Sequence, residues 1–396
     1  MRAAPPTPRR AARRTLTAGI VTLLVAAGLV GTAAGPAVAV RPCPPLQIGL
    51  LARFEGPDAS IAAAELTSAR LAVDGFTTEN PDCPVTVLPL DAGADGNAAG
   101  DAIRAAAEDP RLVAVIGPQR SGDTLVVGPL LEYLGLPFIS MSATRPDLSE
   151  QGWRTFHRIV ASDVVQGAAA ARWITRTLHA KKVGVVDDGT PYGAALAAEV
   201  RAGLGSTPVV TAHLAPDQTD LSSAVNALSG LGPDDVVYYA GYDVEGARLL
   251  TALRAAGSTV RFAGGDGLPT EAFIAGAGPA GEGVLITCPC APPDRLPRAR
   301  GFVDRYTAAT GSAPELGSWT VETYDATDLV LTVIGEGAHT RAAVNRGLAR
   351  IRRRGVLGTH RFDARGDVMA PTVWVYRVSG GRLVPVEPIT GSARRS

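Results

Sequence analysis

The stretch VIGPQRSGDT, residues 115–124, sets a serine, Ser121, just past an apolar run that closes in glycine and proline. A serine so placed can be a nucleophile, part of a phosphate cradle, a helix cap, or a hydrogen-bonding hand for a small ligand. The first two need surroundings that the chain lacks. No G-x-S-x-G elbow exposes Ser121 in the manner of a hydrolase nucleophile. No G-x-x-x-x-G-K-[ST] wraps a phosphate, and Gly49 and Gly56 are wrongly placed for a dinucleotide fingerprint after the first apolar run. The histidines, His157, His179, His213, His339 and His360, are scattered, with no pair at the H-x-x-x-H spacing of a metal-binding helix. The sequence therefore offers no poised nucleophile–base pair, no catalytic residue, no metal site and no cofactor site.

Polar side chains recur at the ends of other apolar runs. PFIS runs into Met141-Ser142-Ala143-Thr144, and KVGVVDD leads to Thr190-Pro191-Tyr192-Gly193. DVVYYAG ends at Tyr242-Asp243, and VRFAGG at Asp266-Gly267. With Ser121, these strand ends carry Ser, Ser/Thr, Tyr, Tyr and Asp. Open parallel sheets bind ligands beyond the carboxyl ends of their strands, where helix N-termini offer unpaired N–H groups and partial positive charge. A small zwitterion between two lobes would be met by such a set. Hydroxyls and N–H groups would hold its carboxylate, an acid its ammonium, and aromatic rings would close over it.

The elements that position these residues read as repeated β-α units. Strand-like runs LQIGLLARF, VTVLPLDAG, LVAVIG and PFIS alternate with helical spacing over residues 59–74, 97–108 and 123–134. Around residues 154–162 the chain starts again. Helices over 164–178, 192–203, 221–228, 244–256 and 270–274 are interleaved with KVGVVDD, PVVTAHL, DVVYYAG, VRFAGG and EGVLITC. Two such arrays predict an α/β protein with two Rossmann-like lobes and parallel central sheets. After Cys290, Pro292, Pro293 and Pro297 mark a crossover. Helices over 299–310, 319–335 and 340–351 follow, then a strand-like THRFDARGD and a hairpin turning at Ser379-Gly380-Gly381.

With 396 residues, 46% of them hydrophobic, the chain has material for two cores. Arg2, Arg9, Arg10, Arg13 and Arg14 precede an apolar run that ends near Ala37-Val38-Ala39, which reads as an export signal over residues 1–39, cleaved after Ala39. Arg13-Arg14 gives it a partial twin-arginine character. Removing those five of the 38 basic residues leaves 33 against 38 acidic, a net charge of −5, which invites neither nucleic acid nor an anionic membrane. Later apolar stretches are too broken to span a membrane. In an exported chain disulfides are permitted. Cys43 and Cys83 each precede a strand-like run, so neighbouring parallel strands would bring them to one sheet edge, and a bridge there stabilises by roughly 4 kcal/mol. Cys288 and Cys290 fit neither an easy disulfide nor a metal site.

Order and spacing together resemble the type I periplasmic binding proteins, in particular the leucine/isoleucine/valine-binding family of ABC-transporter receptors. The resemblance spans about residues 46–388 and rests on VIGPQRS, LGLPFISMSATRPDL, VGVVDDGTPYGAAL, DVVYYAGYDVEGARLLTALRAAG, FAGGDG and GVLGTHRFDARGD. It implies two lobes joined by a three-stranded hinge: residues 45–160 with 289–360, and 161–288 with 361–390, followed by a tail at 391–396. It also implies that Ser121 and Thr144 meet a ligand carboxylate. The backbone around Ser142 and Ala143, with Asp266, would take the ammonium, while Tyr192 and Tyr242 close from the second lobe. The sequence departs from the family pattern in places. Asp266 stands where the family often has Glu, and Ile61 where an aromatic is common. Trp319 would supply an aromatic wall or sit in a helix core. Arg120 would face a second acidic group on the ligand or lie solvated at the surface. No lipobox precedes Cys43. The implied function is a non-enzymatic, exported solute-binding protein that delivers an amino-acid-like ligand to an ABC-type permease. A sensor of the same fold coupled to a signalling receptor, and a scaffold that has lost its site, are the alternatives.

Overall fold

The computed structural model describes residues 43–315 and 317–389. The export signal read at 1–39 and the tail at 391–396 lie outside the described residues. The first array comprises β1 (Leu46–Ala52), α1 (Ala59–Glu79), β2 (Val85–Asp91), α2 (Ala99–Ala107), β3 (Leu112–Ile116), α3 (Ser121–Tyr133), β4 (Phe138–Ser140) and β5 (Phe156–Arg158). The second comprises α4 (Asp163–Arg176), β6 (Val183–Asp187), α5 (Pro191–Leu204), β7 (Val209–His213), α6 (Ser222–Leu228), β8 (Val236–Ala240), α7 (Asp243–Ala255), β9 (Arg261–Gly264), α8 (Glu271–Ala277) and β10 (Leu285–Cys288). Then come α9 (Arg300–Thr310), α10 (Thr320–Gly335), α11 (Arg341–Leu348), β11 (Arg353–Arg354), β12 (Thr359–His360), β13 (Val373–Ser379) and β14 (Arg382–Ile389).

The first sheet has the order β2-β1-β3-β4-β5 and is parallel throughout. The second has the order β14-β13-β10-β9-β8-β6-β7. Its β7 to β10 part is parallel, while β13 and β14 add an antiparallel edge. Every residue of β3 and of β8 is buried. That is why these runs read as unbroken apolar stretches: helices cover both faces of a parallel sheet. Helix α10 packs on α1 and β3, so the strandless stretch after residue 290 returns to the first sheet.

Within the described residues the chain passes between the two sheets three times, at residues 159–162, 289–299 and 361–372, and these passages form the hinge. Arg158, fully buried, ties the first to the third: Nε and Nη2 reach Asp367 Oδ1 at 2.9 and 2.6 Å, and Nη1 reaches the Arg145 carbonyl at 2.7 Å. At the second passage Cys288 and Cys290 are joined in a disulfide, and Tyr376 Oη donates to the Cys290 carbonyl at 2.6 Å. Cys43 and Cys83 form the other disulfide, beside the starts of β1 and β2.

Three local readings change. The three-residue β5 is too short for a period-2 signal. The run THRFDARGD is not one strand, because Asp363 Oδ1 accepts the N–H groups of Arg365 and Asp367 and turns the chain. A Cβ at Gly366 would lie 2.1 Å from the Phe156 carbonyl oxygen, so only glycine permits this approach. Helix α3 begins at Ser121 itself, and its preceding residue, Arg120, makes no capping bond. Ser121 is therefore not a cap.

Candidate functional site

The carboxyl ends of both sheets face a cavity of about 60 Å³, room for about four or more water-sized centres. Ser121 and Ser142 line it from the first lobe, and Tyr192, Tyr242 and Asp266 from the second. Gly117, at the end of β3, makes the first wall possible: a Cβ there would meet the Leu51 carbonyl oxygen at 2.3 Å. Beyond it, Ser121 Oγ accepts the Arg145 N–H at 3.3 Å, which leaves its own hydrogen to donate. Ser142 Oγ donates to the Gln119 carbonyl at 2.7 Å, so its hydroxyl hydrogen is taken.

On the opposite wall Tyr192 Oη donates to Asp266 Oδ1 at 2.8 Å and accepts the Gly267 N–H at 3.0 Å. The Tyr192 and Tyr242 rings lie 5.2 Å apart. Asp188 sets their loops relative to each other, accepting from Thr190 Oγ1 at 2.6 Å and from the Tyr242 N–H at 2.9 Å. Burial pushes the Asp266 carboxyl up to about 6 and also raises the Tyr192 phenol well above its ordinary value.

Trp319 lines the cavity from the start of α10, with φ 53°, a left-handed backbone uncommon for a residue with a side chain. It is also buried within the main core, so it serves as wall and core together. Arg120 is not a solvated surface arginine. Its Nε and Nη2 reach Asp58 Oδ2 and Oδ1 at 2.6 and 2.7 Å, and its guanidinium stacks 3.9 Å from the Tyr242 ring centroid. Ala143 and Thr144 are buried but are not part of the cavity lining.

Sequence reasoning missed two acids. Asp58, directly before α1, lines the cavity. Asp163, at the start of α4, is fully buried, and neither carboxylate oxygen has a hydrogen-bond partner. Burial first, and the charge of Asp266 second, hold the Asp163 carboxyl well above the usual range. Neither acid lies in a motif, so only the fold could have placed them.

The lobes meet across this site. Besides the Arg120–Tyr242 stack, Arg145 Nη1 donates to the Pro191 carbonyl at 2.7 Å. A wider antechamber of about 850 Å³ adjoins the cavity and shares Ile61, Asp243, Thr270 and Gly317 as walls. Among the described residues one group of donors lies close enough to share a metal ion, Cys43, Cys83 and His339, and two of its three donors are spent in a disulfide. No described helix is long and apolar enough to cross a membrane.

Two lobes closing on a polar cavity beyond their strand ends define a ligand-capturing protein. A family model described as "Periplasmic binding protein" matches residues 45–382. An amino acid binding protein of Pseudomonas aeruginosa is 30% identical over 275 residues, covering 68% of this chain and 72% of its own length. The leucine-specific-binding protein of Salmonella typhimurium is 26% identical over 364 residues, covering 90% and 93%. The crystal structure of a leucine-binding protein from Thermotoga maritima superposes with a TM-score of 0.79 at 24% identity, covering 87% of this chain and 98% of that one. The chain belongs to the type I periplasmic binding proteins, in the leucine/isoleucine/valine-binding family. It is a non-catalytic, extracytoplasmic binding protein for a small ligand, of the kind that works with an ABC-type permease.

Proposed function

We propose that this chain captures a small α-amino acid between its lobes and delivers it to the permease, after export and cleavage behind Ala39. The observation that carries the reading is convergence: Ser121 from one lobe and Asp266 with Tyr192 from the other line the same small cavity. In this reading the Ser121 hydroxyl receives the ligand carboxylate. The backbone at Ser142, with Asp266, receives the ammonium, and Tyr192, Tyr242 and Trp319 close around the rest. The lobes then comprise residues 45–160 with 289–360, and 161–288 with 361–390. Ligand contacts to both lobes favour the closed arrangement, because the open one offers only half of them.

The test is a thermal-shift panel of residues 40–396 against L-amino acids, their amides and small organic acids. Binding to the folded form alone adds about 2.7 kcal/mol at a hundredfold excess over Kd. The expected result is a rise in Tm with amino acids that is lost in Ser121→Ala and Asp266→Ala. A panel in which only compounds without an ammonium group raise the Tm overturns the amino-acid reading.

A further inference from the structure

The cavity contains an arginine, and an arginine in a binding site suggests an acidic ligand group. Its surroundings point the other way. Among the described lining residues Arg120 is the only cation, against the carboxylates of Asp58, Asp243 and Asp266. The Nε–Nη2 edge, one that grips a carboxylate in two parallel hydrogen bonds, is spent on Asp58 at 2.6 and 2.7 Å. The Tyr242 ring, 3.9 Å away, covers one face of the guanidinium. The pair is well shielded, with side chains 20% and 11% exposed. Asp58 immediately precedes α1, where an aspartate commonly accepts N–H bonds from the first turn. It makes no such bond, and its carboxylate is committed to Arg120 instead.

We propose that Asp58 is a specificity-determining residue: by occupying the Arg120 guanidinium it reserves the cavity for amino acids with uncharged side chains and turns away acidic ones. The proposal rests on the amino-acid reading above. A ligand carboxylate at this end would have to displace Asp58 or share a guanidinium whose charge Asp58 already cancels, beside two further acids, and a buried carboxylate without a counter-charge of its own is costly. An uncharged side chain meets a guanidinium–carboxylate pair whose charges already cancel, flanked by Ile61 and Trp319.

Isothermal titration calorimetry with L-alanine, L-valine, L-leucine, L-aspartate and L-glutamate tests this on the wild type and on Asp58→Asn. The wild type is expected to bind its best uncharged ligand at least 100-fold more tightly than either acidic one. Asp58→Asn, which frees the guanidinium, should narrow that ratio at least tenfold, and the double variant Asp58→Asn/Arg120→Gln should lose the gain. A purely structural role for Asp58 would weaken all ligands together and leave the ratio unchanged, which overturns the proposal. The wild type alone also decides, should the variant not fold: equal or tighter binding of any charged amino acid overturns the proposal while the amino-acid reading stands. Binding of none of the five, with none of the wider amino-acid panel raising the Tm, removes the amino-acid reading and the proposal with it.

Discussion

Asp163 and Asp266 concentrate the electrostatic cost of the site. Both are buried and adjacent, and burial is the main cause that raises each carboxyl, Asp266 to about 6. An acid whose folded pKa lies above its unfolded value holds its proton more tightly in the folded state. Its stabilising contribution is therefore present below the unfolded pKa, near 3.8, and is lost as pH rises through about 6. An ammonium ligand needs the charged carboxylate, so affinity should run the opposite way and rise over the same interval. Chemical denaturation of the ligand-free protein between pH 4 and 8 should show stability falling through this window. Asp266→Asn should flatten the fall, raise stability at pH 8 by about 1–3 kcal/mol and abolish ligand binding. A variant whose stability keeps the wild-type pH slope would place the cost elsewhere. Asp266 was legible in the sequence because it ends a strand-like run in FAGGDG. Asp163 was not, since VASDVVQG reads only as a helix start, and its unpartnered carboxylate arises from contacts distant in sequence.

Among the elements, central parallel strands such as β3 and β8 were the most legible, because burial on both faces leaves them no polar alternation to blur the pattern. The crossings were the least legible, because turns such as the one at Asp363 depend on side-chain bonds, not periodicity. The crossings are also where the geometry of the site is set. Arg158 binds both Asp367 and the carbonyl of Arg145, so the loop bearing Ala143 and Thr144 is fastened to the third passage. Asp367→Ala would strand a fully buried guanidinium, and losing one partner of a buried pair costs about 3–5 kcal/mol. A loss of unfolding free energy in urea smaller than about a third of that would mean that Asp367, itself 28% exposed, is replaced by water. Gly317 makes a separate demand: at φ 80° it approaches the opposite lobe so closely that a Cβ would lie 2.0 Å from the Pro269 carbonyl oxygen. Gly317→Ala should therefore oppose closure more than folding. The expected outcome is a ligand affinity reduced at least tenfold and a larger ligand-saturated radius of gyration by small-angle scattering. Unchanged affinity would show that binding does not require this approach.

Across the whole molecule, stability and binding are placed at opposite ends of the parallel strands. The cavity lies beyond the carboxyl ends, where helix N-termini and loops can spare polar groups for a ligand. The Cys43–Cys83 disulfide lies at the amino ends of β1 and β2. It joins cysteines 40 residues apart, a loop whose closure removes enough chain entropy from the unfolded state to stabilise by about 4 kcal/mol. That contribution acts mainly on the unfolded ensemble, so it is available to the open and closed forms alike and cancels from the equilibrium between them. The double variant Cys43→Ser/Cys83→Ser should thus lower unfolding free energy by several kcal/mol while ligand affinity stays within about twofold of wild type at a temperature where both remain folded. Parallel denaturation and calorimetric titration measure the two quantities on the same samples. A tenfold loss of affinity in the still-folded variant would mean that β1 and β2 transmit strain along their length from one sheet edge to the other, and that the division between a stabilising edge and a binding edge does not hold in this fold.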